Sequence, residues 1–397
     1  MAFHSLTRRA LLNGMAGLMG YSALMKTAWA KASVFEFPLG KSGLRLLNDR
    51  PLNAESVPHL LDDDVTRTAH LFIRNNGLPP VDADIAKWTL SVDGESVVSP
   101  LTLSVSELKS RFENVSLQLT LECGGNGRAE FEPSVPGNQW TLGAIGCPQW
   151  QGVRLRDVLN EAGIKDDAVY LGFHSADRHL SGDGSKEVIS RGIPIEKAMA
   201  DDAMIAWGMN GLDLPPIHGY PLRLVVAGWP GSVSGKWLTR ISLRNRVHDG
   251  AKMLGKSYRV PRFPVAPGTT VADDDMMIIA AMPIKSLITA PQTDRQQAIG
   301  ELLTVRGHAW VGDDEVKTVE VSIDFGETWQ VTKLSSAVNP GAWQHFQTTI
   351  QFPSKGYFEV WAKASDSVGR SQPMVMPAWN PKGYLNNACH RVSVHVV

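Results

Sequence analysis

Apolar and polar positions follow two rhythms along this chain. From Trp88 onward, short runs with period-two alternation (WTLSVDG, VSLQLTLEC, DAVYLGFHS, LRLVVAG) are interleaved with patches of helical spacing (SVSELKSRF, RLRDVLNEAG, PIEKAMADDAM). This interleaving predicts a mixed α+β domain. Beyond a proline-rich connector, VPRFPVAPGTT, the pattern turns almost purely β: ELLTVRGHAW, the hairpin-like KTVEVSIDFGETWQVTKL, WQHFQTTIQF, YFEVWAKASD and HRVSVHVV. About seven short strands in roughly 110 residues predict an immunoglobulin-like sandwich. The expected division is residues 31–270 and 271–397. Lys31 to Pro80 is rich in Pro, Asn and Asp with little periodicity, and predicts extended wrapping segments.

The run VSLQLTLEC places Val115, Leu117, Leu119 and Leu121 on one face, and Cys123 continues their parity. Alternation therefore turns its sulfur toward the interior of the sheet. A glycine-rich turn follows at once in CGGNGR.

The 397 residues, 43% of them apolar, suffice for a full core and two domains. The first thirty combine Arg8 and Arg9, a short apolar run and the small-residue ending Ala28-Trp29-Ala30. This reads as a twin-arginine export signal cleaved after Ala30 and implies a periplasmic product, with no membrane span once it is removed. Cleavage lowers the 39 basic residues to 36 against 40 acidic ones, a formal charge of about −4. A mildly acidic chain without a basic block excludes nucleic acid as a partner, and an anionic substrate needs a local cluster of arginines.

The three cysteines, Cys123, Cys147 and Cys389, allow at most one disulfide. No C-x-x-C-H motif is present, so the chain attaches no c-type haem; paired C-x-x-C motifs for structural zinc and the multiple cysteines of an iron–sulfur cluster are also missing. For Cys123 three readings stand on the residues alone: a core thiol, a nucleophilic thiolate, or a single thiolate on a soft metal. His174 and His179 lack the spacing of a zinc site and are expected on loops.

The segment TLECGGNGR resembles the molybdenum-ligand loop of the sulfite oxidase family. FIRNNGLPP, HGYPLRLVVAGWPGSVSGKWL and PAWNPKGYLNNACHRVSVHV resemble further segments of that family in the same order. The resemblance spans nearly all of the mature chain. It lies with the bacterial, haem-free sulfite dehydrogenases and the related sulfane dehydrogenase subunit of thiosulfate oxidation. It implies an α+β domain holding one molybdenum–molybdopterin cofactor, followed by an immunoglobulin-like dimerisation domain in a homodimer.

By the same resemblance Cys123 is the metal ligand, and Arg74 and Arg128 face a substrate oxyanion. Tyr258 bonds substrate or an oxo ligand, and Trp140 forms an aromatic wall of the anion pocket. Asn76, Asp177, His218, Arg223, Ser234 and Lys236 anchor the cofactor; Asn76 stands where animal members usually carry histidine. The implied reaction is sulfite to sulfate, with electrons passed singly to an external c-type cytochrome. The alternative is oxidation of carrier-bound sulfur. Cys389 replaces an aromatic of animal relatives and is assigned no role.

Overall fold

The computed structural model describes residues 35–38 and 40–397. The expected export signal lies outside them. Among the described residues no helix is long and apolar enough to cross a membrane.

The first region is strand-rich, with few helices. One five-stranded sheet runs Gly192–Pro194, Tyr170–Ser175, Leu238–Arg244, Thr89–Asp93, Leu101–Ser104; Leu238–Arg244 is parallel to Thr89–Asp93 and antiparallel to Tyr170–Ser175. A second, antiparallel sheet runs Leu212–Asp213, Ala203–Met209, Gln149–Arg154, Val115–Gln118, with Arg223–Val226 also paired to Ala203–Met209. Leu90, Val92, Phe173 and Ile241 of the first sheet share one buried core with Val153, Ile205, Leu224 and Val226 of the second. The opposite parity of the second sheet, Met204, Ala206 and Val225, packs in another core with Leu119, Leu121 and Cys123. The second sheet is thus buried on both faces, which explains its near-continuous apolar text.

Helical patches settle where local chemistry supports them. Val105–Arg111 starts with a capping box, in which the Ser104 hydroxyl accepts from Glu107 N at 3.1 Å and the Glu107 carboxylate accepts from Ser104 N at 2.8 Å. Leu155–Ala162 ends at Gly163, whose φ of 71° lies in left-handed space. In PIEKAMADDAM only Ile195–Ala198 is helical; the following Ala203–Met209 is a strand paired with three others. Tertiary pairing overrides the local helical spacing there.

Two expectations on strands are corrected. VSLQLTLEC is two strands in different sheets, Val115–Gln118 and Leu121–Glu122, because Leu119 N bonds Pro148 O and Thr120 N bonds Gly341 O between them. The residues of Lys31–Pro80 are not all extended wrapping: Leu44–Asp49 and Leu52–Ser56 form an antiparallel hairpin that the strand pattern concealed.

The second region is a sandwich of a four-stranded and a five-stranded sheet. Val305, Phe346, Val360 and Val394 are fully buried in its core. The three cysteines are free and buried, so no disulfide joins the two sheets, which are held by packing and by hydrogen bonds such as Ile288 N to His390 Nδ1 at 2.9 Å. Arg259–Pro261 pairs with Met276–Ile278 across the proline-rich connector and closes it as a loop. Between the regions Leu61, Ile145 and Cys147 pack on Leu287, Trp310 and Trp343, and specific polar contacts accompany this apolar cluster. His308 Nε2 donates to Leu61 O at 2.8 Å, Trp343 Nε1 donates to Asp64 O at 2.7 Å, and Arg306 pairs with Asp62 at 2.6 Å.

Phe346 lies over Gly307 so closely that a Cβ there would fall 2.6 Å from its ring. Phe346→Ala is expected to destabilise the sandwich by about 3–5 kcal/mol, read as a lowered thermal midpoint in calorimetry.

Candidate active site

Cys123 follows strand Leu121–Glu122 and is 7% exposed. Its N–H donates to Ala144 O at 2.9 Å and its carbonyl accepts from Asn126 N at 2.9 Å, so the backbone turns directly beneath the sulfur. The turn leads into Arg128–Glu130, a short 3-10 helix, and brings Arg128 back over the loop. A Cβ on Gly125 would lie 2.5 Å from the Arg128 guanidinium, and one on Gly137 2.8 Å from it. The glycines are there because the arginine occupies their side-chain space.

Two clefts meet at Cys123. The deeper one encloses about 720 Å³, counting its open mouth, and is lined by Asp177, His218, Arg223, Ser234 and Lys236. The wider one is lined by Arg74, Arg128, Lys382, Tyr258 and Tyr384 and carries no carboxylate. Arg74, Asn75, Asn76, Cys123 and Tyr258 line both.

The deep cleft is assembled from separate segments. Arg223 opens strand Arg223–Val226 and faces Lys236 through an isolated antiparallel bridge, while His218 ends the 3-10 turn Pro216–His218. Reciprocal backbone bonds between Leu78 and Arg178 bring the Arg74–Asn76 segment beside Asp177. Arg223 donates to His218 O at 3.0 Å and Ser234 O at 3.2 Å and stacks on Trp150 at 4.7 Å. Lys236 donates to Asn75 Oδ1 and, at 2.9 Å, to Ile217 O. Lys41 donates to Thr68 O, Leu71 O and, at 3.1 Å, His218 Nε2. While Lys41 carries its full charge, Nε2 accepts and the ring holds its proton on Nδ1.

None of these cations is ion-paired to a carboxylate among the described residues. Burial lowers Arg223 to about 9 and Lys41 to about 7. Lys236 falls well below its usual value through burial and the nearby Arg223 charge. His218 is held neutral by burial and by Lys41, Lys236 and Arg223. Asp177 is raised to about 6, because burial outweighs the pull of Lys236 and Lys252. Ser175 and Ser232 line the same cleft with buried hydroxyls that have no partner.

In the wider cleft both arginines are steered by neutral acceptors. Arg74 bonds Asn53 Oδ1 at 3.3 Å, Asn75 O, Asn76 Oδ1 at 2.9 Å and the Tyr258 hydroxyl at 3.4 Å. Arg128 bonds Lys382 O at 2.8 Å and Asn138 O at 3.1 Å and lies over the Tyr384 ring. Asn76 Oδ1 also accepts from Lys252 at 2.8 Å and Tyr258 at 3.2 Å, which makes it a hub of this cleft. Tyr258 sits at φ 53°, an uncommon conformation for a bulky residue, between the Tyr384 ring at 5.8 Å and the Arg191 guanidinium at 4.6 Å. Burial alone would raise its phenol, but Arg74, Lys252 and the Asn76 bond bring it below its ordinary value.

The structure thus gathers Cys123, Arg74, Arg128, Tyr258, Asn76, Asp177, His218, Arg223, Ser234 and Lys236 around one junction. Trp140 is not among them. It is fully buried, edge-on to Phe72 at 6.3 Å in the core behind Cys123, and lines neither cleft. His174 lies in strand Tyr170–Ser175, not a loop, and bonds Glu187 at 2.6 Å; His179 contacts Ser181. Sequence reasoning missed Lys41, Asn75, Arg191, Lys252, Lys382 and Tyr384. Lys382 and Tyr384 lie inside the already distinctive WNPKGYLNN, whereas Lys41 carries no local signal.

Residues 76–252 match the family model described as oxidoreductase molybdopterin binding domain, and residues 276–397 match Mo-co oxidoreductase dimerisation domain. The chain is 35% identical to sulfite oxidase of Gallus gallus over 359 residues, covering 88% of this chain and 77% of that one. It is 33% identical to mitochondrial sulfite oxidase of Homo sapiens, covering 90% and 67%. The sulfane dehydrogenase SoxCD of Paracoccus pantotrophus superposes with a TM-score of 0.72 at 26% identity, over 91% of each chain. The molybdenum–molybdopterin cofactor of these domains fits the residues present. Its phosphate would answer the unpaired Arg223 and Lys236 charges, its polar edge the orphaned serine hydroxyls, and a soft metal the Cys123 thiolate. The chain belongs to the sulfite oxidase family of molybdopterin-dependent oxidoreductases.

Proposed function

We propose that the chain is a periplasmic sulfite dehydrogenase that converts sulfite and water to sulfate, two protons and two electrons. The electrons leave singly to an external c-type cytochrome, and the enzyme works as a homodimer through its second domain. The observation that carries this reading is the carboxylate-free cleft beside Cys123, in which Arg74 and Arg128 are held by carbonyl and amide oxygens and keep their full charge available for an oxyanion.

In this reading Cys123 ligates the metal, and His218, Arg223, Ser234, Lys236, Asp177 and Asn76 hold the pterin and its phosphate. When bound, the molybdenum centre supplies two-electron oxygen-atom transfer. The protein's part is orientation and charge. Arg74 and Arg128 fix the oxyanion, and Lys382 adds a third positive side chain to the cleft. Tyr258, donating to Asn76, holds that amide between Arg74 and Lys252 and keeps its hydroxyl at the junction. The Tyr384 ring covers one side of Arg128.

The likeness to a sulfane dehydrogenase, together with the width of the same cleft, favours a second reading in which the substrate is sulfur carried on a partner protein. Steady-state assay of the cofactor-loaded protein with free sulfite and cytochrome c separates the two. Turnover of free sulfite supports the first; turnover only with a sulfur-loaded carrier protein supports the second.

Cys123→Ser is expected to abolish sulfite turnover, and undiminished turnover would refute the ligand role. Arg128→Met is expected to raise KM for sulfite by about 10- to 100-fold, the loss of one charge-assisted hydrogen bond of about 1.5–3 kcal/mol, measured by steady-state kinetics.

Lys41 gives a pH signature. Its folded value of about 7 lies below its ordinary 10.5, so the unfolded chain binds the extra proton between those limits. Lys41 therefore costs cofactor-free protein stability as pH falls from 10.5 toward 7, with the full cost present below 7. The thermal midpoint of cofactor-free protein should rise from pH 7 to pH 9, and Lys41→Met should flatten that rise; identical slopes for both proteins would count against it.

A further inference from the structure

Glu122 immediately precedes Cys123 and is a buried carboxylate, 2% exposed. Its backbone is held on both sides, paired with Ile145 in one strand and bridged to Pro230 beside the 3-10 turn Gly231–Val233 that borders the deep cleft. Its side chain is occupied by the other region of the chain. Lys285, itself 4% exposed, donates to Oε1 at 2.8 Å, and Trp310 Nε1 donates to Oε2 at 2.8 Å. Both donors belong to the first two strands of one sandwich sheet, Lys285–Ala290 and Leu303–Trp310, where they face each other as a cross-strand pair. Asn126 completes the arrangement. Its Nδ2 donates to Glu122 Oε1 at 3.0 Å, its carbonyl accepts from Lys285 at 3.2 Å, and its own N–H donates to the Cys123 carbonyl.

We propose that Lys285, from the dimerisation domain, is a positioning residue for the metal-ligand loop: by neutralising and fixing Glu122 it sets both the position and the charge environment of the Cys123 thiolate. The proposal rests on the reading of Cys123 as ligand. A buried carboxylate with no counter-charge, one residue from an anionic sulfur, adds negative potential where the thiolate donates to the metal, and at low dielectric that potential is poorly screened. The ammonium removes it. The same ammonium holds the Asn126 carbonyl, so Lys285 by itself ties the metal-ligand loop to the sandwich at two acceptor atoms. Partners of this kind around a metal ligand act on its orientation and donor strength without touching the metal.

The test uses the cofactor-loaded protein with Lys285→Met, Lys285→Arg and the double variant Glu122→Gln/Lys285→Met. Three quantities are read: molybdenum per chain, the thiolate-to-metal charge-transfer band of the oxidised protein, and turnover per bound molybdenum. Lys285→Met is expected to shift the band and to lower turnover per molybdenum about tenfold. Lys285→Arg keeps the charge and the double variant removes both, so each is expected to return the band and to restore turnover to within about twofold. An unchanged band and turnover in Lys285→Met would overturn the proposal, as would a folded double variant or Lys285→Arg as impaired as Lys285→Met. If Lys285→Met fails to fold, the other two carry the test alone, and loss of the native band in either overturns it. A band that survives Cys123→Ser would instead sink the ligand reading beneath it.

Discussion

Positive charge buried without a protein counter-ion is the constraint around which this molecule is built. Arg223 and Lys236 line one cleft and Lys41 stands behind its His218, and burial drives each below its ordinary pKa. A folded chain keeps such an arrangement only if an anion is there to be bound, since an isolated buried cation is among the costliest features a protein can hold. His218 is the neutral member of the cluster. Its Nε2 is already committed to Lys41, which leaves Nδ1–H to donate.

The same logic, with weaker burial, shapes the second cleft. Arg74 and Arg128 are satisfied by amide and carbonyl oxygens, so their geometry is fixed while their charge is unspent. Asn76 serves Arg74 with a single oxygen that it shares among Arg74, Lys252 and Tyr258. The backbone strain at Tyr258 is tolerated because its ring is sandwiched between Arg191 and Tyr384. One cleft is therefore suited to a tightly held anion and the other to a transient one, with the only thiol of the site at their boundary.

The sandwich is more than a platform for pairing subunits. Through Lys285 and Trp310 on Glu122, and through His308 and Trp343 on the Leu61–Asp64 segment, it closes polar groups of the first region that would otherwise be buried and unpaired. Its own fold needs no disulfide, and all three thiols stay free.

Most of the architecture was legible in the sequence because it rests on period-two patterning, which survives without knowledge of neighbours. The inward parity of Cys123 held even though its strand is broken, because the loop packs on the same core as Leu119 and Leu121. The hairpin Leu44–Ser56 and the strand Ala203–Met209 were not legible, since their pairing partners, not their own spacing, decide them. At the site, residues inside distinctive motifs were found, while Lys41 and Lys285 were not, because each acts on a partner more than 150 positions away. Trp140 shows the opposite: the family resemblance implied a pocket wall, but the side chain fills the core behind the cysteine loop. Sequence by itself determined the fold class, since that depends on local alternation, and it singled out the thiol and the arginines only through motifs that resemble the family. Only tertiary structure decided which cations are buried together and what holds the thiol in place, because burial and counter-charge are properties of what the rest of the chain brings alongside.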